Sequence, residues 1–124
     1  MLTVAAFLLM TVSAMHSLLG GINLINPICS LPDLPIFLGS RRFTIMTLQC
    51  GWHFLSLLWV ALALLLVGYP SDPTDFSRKL LYGGAVLFAV YGLTALVASR
   101  GRHLSWVFFF PIGGLFCAVA QGMG

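Results

Sequence analysis

The sequence predicts an all-α integral membrane protein, an antiparallel four-helix bundle built as a single domain over residues 1–124. Two observations carry that expectation. Of the 124 residues 60% are hydrophobic and only 7% charged, with a mean hydropathy of +1.03. A soluble domain carries roughly 25% charged residues, so this chain cannot coat a water-facing surface and its solvent must be lipid. The apolar residues also fall in runs of spanning length, separated by short groups of Pro, Gly, Ser and charge.

A bilayer core of about 30 Å needs roughly 20 helical residues. The first candidate span covers residues 2–24 and stops before Asn26-Pro27. Its start, MLTVAAFLLM, places no Lys or Arg ahead of the apolar stretch, so it is expected to stay as a span and not to be a cleaved signal peptide. The second covers 43–67 and ends at Gly68-Tyr69-Pro70; the third covers 80–98 and the fourth 104–120. Between the first two lies NPICSLPDLPIFLGSRR, residues 26–42, with three prolines that argue against a regular helix. Ile28, Leu31, Leu34, Ile36, Phe37 and Leu38 make it too apolar for a free loop, so it is expected to fold back or lie in the interface. Asp75 or Ser77 is expected to cap the third helix.

The charges set an orientation. Arg41, Arg42, Arg100 and Arg102 belong to the first and third connections, and Arg78 and Lys79 to the second. The excess favours a cytoplasmic first side, which places both termini in the periplasm of a bacterial inner membrane. Six scattered Lys and Arg residues form no basic stripe, so no nucleic-acid partner is expected. The odd and widely spaced Cys29, Cys50 and Cys117 support neither a disulfide framework nor dithiol redox chemistry.

The histidines are the most informative polar side chains. With a rise of about 1.5 Å per residue, His16 and His53 reach similar depths on neighbouring helices, while His103 sits nearer the surface. Residues three or four apart share a helix face. Ser13, His16, Ser17 and Gly20 form one stripe, and Gln49, Cys50, His53 and Ser56 another. Polar groups within lipid turn inward and seek partners, so the two stripes are expected to face each other. Helix pairing through Ser13, His16, Gln49, His53 and Ser56 is the plainer reading.

A sharper reading makes His16 and His53 axial ligands of a haem b. Gly20 and Gly51 would give room, and Arg41, Arg42, Arg100 or Arg102 would meet propionates; without haem, the same four arginines are expected to anchor that face or bind acidic lipid headgroups. Cys50 and His53, with His16 or Cys29, could alternatively hold copper or zinc. No cofactor is the leading expectation. Gly83, Gly84, Gly92, Gly113 and Gly114 let helices approach closely. Pro111 is expected to bend the fourth helix, and the run 106–110 to offer broad contact to lipid, pigment or another subunit. Trp52, Trp106 and Tyr69 are candidate headgroup markers.

Several activities lack their chemistry here. Small multidrug exporters resemble the chain in size but depend on an intramembrane glutamate, and this sequence has no glutamate. Quinone-linked thiol oxidases need paired cysteines. The Asn-bearing second helix and the Phe/Thr-rich broken third helix of dual-topology fluoride channels are not visible. A lipid-modifying enzyme would have only Asp33 with a histidine as acid and base. MHSLLGGINLINPI, GWHFLSLLWVALALLL and SRGRHLSWVFFF, in that order, resemble a group of small uncharacterised bacterial four-helix membrane proteins. Some members carry an acid where Gly21 stands. That resemblance implies bacterial origin and four spans, and no activity.

The expected function is a non-enzymatic accessory subunit of a larger membrane complex, with membrane lipids, larger subunits and pigments as partners. The alternatives are a haem- or metal-binding redox protein and a small oligomeric transporter or channel.

Overall fold

The computed structural model describes residues 2–68 and 72–123. It is helical throughout its regular structure, with helices α1 (Leu2–Ser30), α2 (Arg41–Val67), α3 (Pro73–Ser99) and α4 (Trp106–Gln121). The first three are long and apolar enough to cross a membrane, which marks a membrane protein. The fourth is a shorter apolar helix of 16 residues, about 24 Å at the usual rise, close to the stretch expected over 104–120. The helices pack in chain order, α1 on α2, α2 on α3, and α3 most extensively on α4.

Three boundaries differ from the sequence expectation. The first helix does not stop before Pro27 but runs on to Ser30. Its middle, His16–Ile25, is π-helical, and the Asn26 N–H donates to the Gly21 carbonyl five residues back. Proline lacks an N–H, and its ring clashes with the carbonyl four residues earlier in an α-helix; the widened register leading into Pro27 lets the helix continue. The second helix begins at Arg41, where the Ser40 side chain accepts from the Phe43 N–H. The third begins seven residues earlier than expected. Its cap is Asp72, which accepts from the Thr74 N–H at 3.0 Å, and not Asp75 or Ser77. Asp75 instead pairs with Arg78, and Ser77 donates to the Pro73 carbonyl.

Little of the chain is hidden by the chain itself. In the most apolar stretches of α1 and α2 only 11% of residues are buried. Among the described residues no large side chain is fully buried, while Phe7, Leu104 and Phe108 are each about two-thirds exposed. Small residues occupy the tight positions: Ala6, Ser13, Ser56, Ala63, Gly92, Ala95, Gly113 and Ala120. In the connection after α1 only Leu34 folds back into cover, whereas Leu31, Ile36, Phe37 and Leu38 stay exposed. Phe37 is tied down by its N–H, which donates to Thr44 Oγ1 at 2.7 Å.

Glycines set the α3–α4 interface. A Cβ on Gly84 would lie 2.6 Å from the Phe116 ring, and one on Gly92 2.8 Å from the Phe110 ring. A Cβ on Gly113 would lie 3.1 Å from the Ala85 carbonyl oxygen. Phe88 blocks retreat of Phe116, edge-on at 5.7 Å between ring centroids. α4 continues through Pro111. Midway along α2, the Tyr91 hydroxyl donates to the Phe54 carbonyl and the two rings stack at 4.1 Å. Tyr69 lies outside the described residues.

Overpacking at a tight site costs roughly 1–3 kcal/mol, whereas Gly→Ala in open helix gains up to about 1 kcal/mol. Gly84→Ala should therefore lower the thermal midpoint in detergent, and Phe116→Leu should restore it. Gly114→Ala, which meets nothing within 4 Å, should be neutral or stabilising. Equal effects of the two glycine changes would contradict the α3–α4 contact.

Candidate functional site

α1 and α2 meet along a ladder of polar side chains. The Ser13 hydroxyl donates to the Ser56 carbonyl at 2.8 Å, and Ser56 Oγ lies 2.9 Å from His16 Nδ1. Ser17 Oγ lies 2.7 Å from His53 Nδ1. The Trp52 indole N–H donates to the His16 carbonyl at 2.9 Å. Each imidazole is thus bonded to a serine of the opposite helix. The structure brings Ser13, His16, Ser17, Gly20, His53 and Ser56 together. Gln49 is half-buried on α2 but takes no part in these bonds.

Aromatic rings hold His16. Its ring stacks on Trp52 with centroids 4.0 Å apart and planes within 9°, and meets Trp59 edge-on at 5.0 Å. Gly20 admits this arrangement, because a Cβ there would stand 2.5 Å from the Trp52 ring. His53 reaches towards Gly21 in the same way, with its Cε1 3.5 Å from where a Cβ would be. Trp52 is therefore part of the α1–α2 seam rather than a free surface marker. Trp52, Ser56 and Trp59 share a face at spacings of four and three, the signal by which sequence reasoning could have found the ring shelf.

The two histidines differ in cover. His16 and Ser17 are half-buried and Ser56 is buried, but His53 is exposed. Its ring lines an open groove of about 290 Å³ with Met10, Ser13, Ala14, Ser17, Ser56, Leu57 and Val60.

The room that Gly20 provides is filled by the Trp52 indole, and Gly51 faces open space away from the seam. Both imidazoles meet serines across the α1–α2 contact. A Ser–His pair alone can move a proton, but among the described residues neither ring makes a second hydrogen bond through its Nε2.

Cys50 is not in the seam. It lines a separate cavity of about 170 Å³ with Met46, Thr47, Phe54, Ala95, Ala98, His103, Ser105 and Phe109. Cys29 is buried in α1, and the described residues contain no group of three His, Cys, Asp or Glu side chains placed to hold a metal. Sequence reasoning missed Thr47, whose buried hydroxyl has no partner within the described residues. His103 belongs to the turn before α4, where its Nδ1 meets Ser105 Oγ at 2.8 Å and its ring stacks on Phe43 at 5.5 Å.

The four arginines also divide. Arg41 donates to the carbonyls of Cys29, Leu31 and Pro32, closing the end of α1. Arg42, Arg100 and Arg102 stand together around a different pocket. Comparison with protein-family models, with curated proteins and with solved structures found no match.

Interhelical hydrogen bonds in membranes average about 0.6 kcal/mol and reach about 1.7. In a double-mutant cycle, His16→Ala with Ser56→Ala should couple by that order, as should His53→Ala with Ser17→Ala. His53→Ala with Phe116→Leu, far apart and sharing no partner, should add to within about 0.5 kcal/mol. The readout is unfolding free energy in detergent, and additivity within the two seam pairs would refute the ladder.

Proposed function

We propose that this chain is a non-enzymatic accessory subunit of a larger bacterial inner-membrane complex. It lies across the bilayer as an antiparallel helical bundle, with the ends carrying Arg42, Arg100 and Arg102 in the cytoplasm and both termini in the periplasm. One observation supports the reading above others: the His53–Ser17 pair is left open on helices otherwise dressed in apolar side chains. Exposing a polar group to hydrocarbon costs several kcal/mol, and intramembrane ionisable residues nearly always face protein or a water-filled cavity. A partner helix seated in the groove between Met10 and Val60 would remove that cost by giving His53 Nε2 a hydrogen-bonding neighbour.

A second, wider groove favours the same reading. It measures about 810 Å³ and runs between α2 and α3, with Ala61, Leu65, Gly83, Leu87 and Phe116 among its walls. Its surface is almost wholly apolar, suited to acyl chains, a pigment or the side chains of another subunit.

Gentle purification should yield the chain in fixed stoichiometry with a larger membrane polypeptide. A photo-crosslinking residue at Met10 or Leu57 should join that same polypeptide, and His53→Leu should reduce its recovery at least tenfold. Crosslinks to lipid alone, or to a second copy alone, would overturn the assignment.

A further inference from the structure

Three arginines line one pocket at one end of the molecule. Arg42 stands in the first turn of α2, and Arg100 and Arg102 flank Gly101 in the turn leaving α3. With Ser40, Phe43, Met46 and Ser99 they line a pocket of about 110 Å³. All three arginines are exposed. Among the described residues none of their side chains makes a hydrogen bond or ion pair, and the salt bridge found there joins Arg78 to Asp75 instead. Arg41, beside them in sequence, shows the contrast: its guanidinium is fully engaged by backbone carbonyls.

Two further features make the cluster more than a scatter of surface charge. Arg100 adopts the left-handed conformation at φ 52° and ψ 42°, a helix-ending position where glycine or asparagine is usual. A β-carbon there is strained, and this position carries a guanidinium. The pocket also lies at the N-terminus of a 27-residue helix, where unpaired N–H groups and the helix dipole favour negative charge. Ser40 Oγ accepts from the Phe43 N–H, which leaves its hydroxyl hydrogen free to donate.

We infer that Arg42, Arg100 and Arg102 form a binding site for one phosphate group, as a mono- or diester. Planar guanidiniums match its oxygens in pairs, and the pocket has room for a group of that size. The phosphate comes from an acidic phospholipid headgroup or from a soluble phosphate ester. The inference shares no residue with the His53 groove, so either can fail alone.

The test uses the full chain in a neutral detergent. Native mass spectrometry with added dioleoyl phosphatidylglycerol should show saturable binding of one lipid, at least tenfold tighter than dioleoyl phosphatidylcholine. Titration with inorganic phosphate identifies the source: weak binding beside tight phosphatidylglycerol binding assigns a lipid headgroup, and competition at equal concentration assigns a soluble phosphate. R42Q/R100Q/R102Q should lose the selectivity, whereas R78Q/K79Q should keep it. Should the triple variant not fold, phenylglyoxal labelling of the unaltered chain replaces it. Phosphatidylglycerol or phosphate should then protect Arg42, Arg100 and Arg102, and leave Arg78 labelling unchanged. Equal binding of both lipids without phosphate competition, or labelling of the three arginines unaffected by either anion, overturns the site.

Discussion

A polar atom inside an apolar helix needs a protein partner, and the packing of α1 on α2 follows from that need. His16 and His53 cannot be left bare in hydrocarbon without a penalty of several kcal/mol. Each meets a serine of the facing helix, and those two contacts set the rotation and height of the pair. Once the helices are in that register, Gly20 lies under the Trp52 indole and the indole reaches the His16 carbonyl. The remaining interface needs only small residues. The same constraint explains the sparse core: the chain hides polar atoms before apolar ones, because the surrounding medium accepts the latter.

Much of this was legible in the sequence, and the reasons for what was not are specific. Composition and run length give four apolar helices, three of them long enough in the structure to cross a membrane, since hydrophobicity and length are additive properties of residues. The serine and histidine stripes were legible because they follow helical spacing. The extension of α1 through Pro27 was hidden, since a proline reads as a breaker unless the preceding turns widen, and widening leaves no compositional mark. The fate of Cys50 was hidden too. It stands three residues before His53, which on a helix is a rotation of about 60°, enough to place it against α3 and α4 instead of α1. Neither could the sequence separate Arg41 from Arg42, although one closes a helix end and the other stands free.

The charge distribution has a matching logic. At the Asp72 end, carboxylates are available, and they cap α3 and pair with Arg78. At the opposite end Asp33 is the sole carboxylate in the connections, and the cations outnumber it. Backbone carbonyls accept from Arg41, whereas Arg42, Arg100 and Arg102 line an open pocket. The two ends of the molecule are therefore chemically unlike: one internally neutralised, the other left with an excess of positive charge.

The wide turns of α1 carry a geometric consequence. Ser13, Ser17, Gly21, Ile25 and Cys29 all lie half-buried or buried, at constant intervals of four. On an ordinary helix that interval drifts by about 40° at each step, and the last member would face well away from the first. Widening cancels the drift, so a straight stripe of four-residue steps faces α2 from the serine ladder to the carbonyls that Arg41 holds. The length of the stretch from His16 to Ile25 thus works as a gear tooth. Removing one residue would swing everything beyond it by about 100° and unhook the Arg41 clasp, although no side chain in either contact had changed.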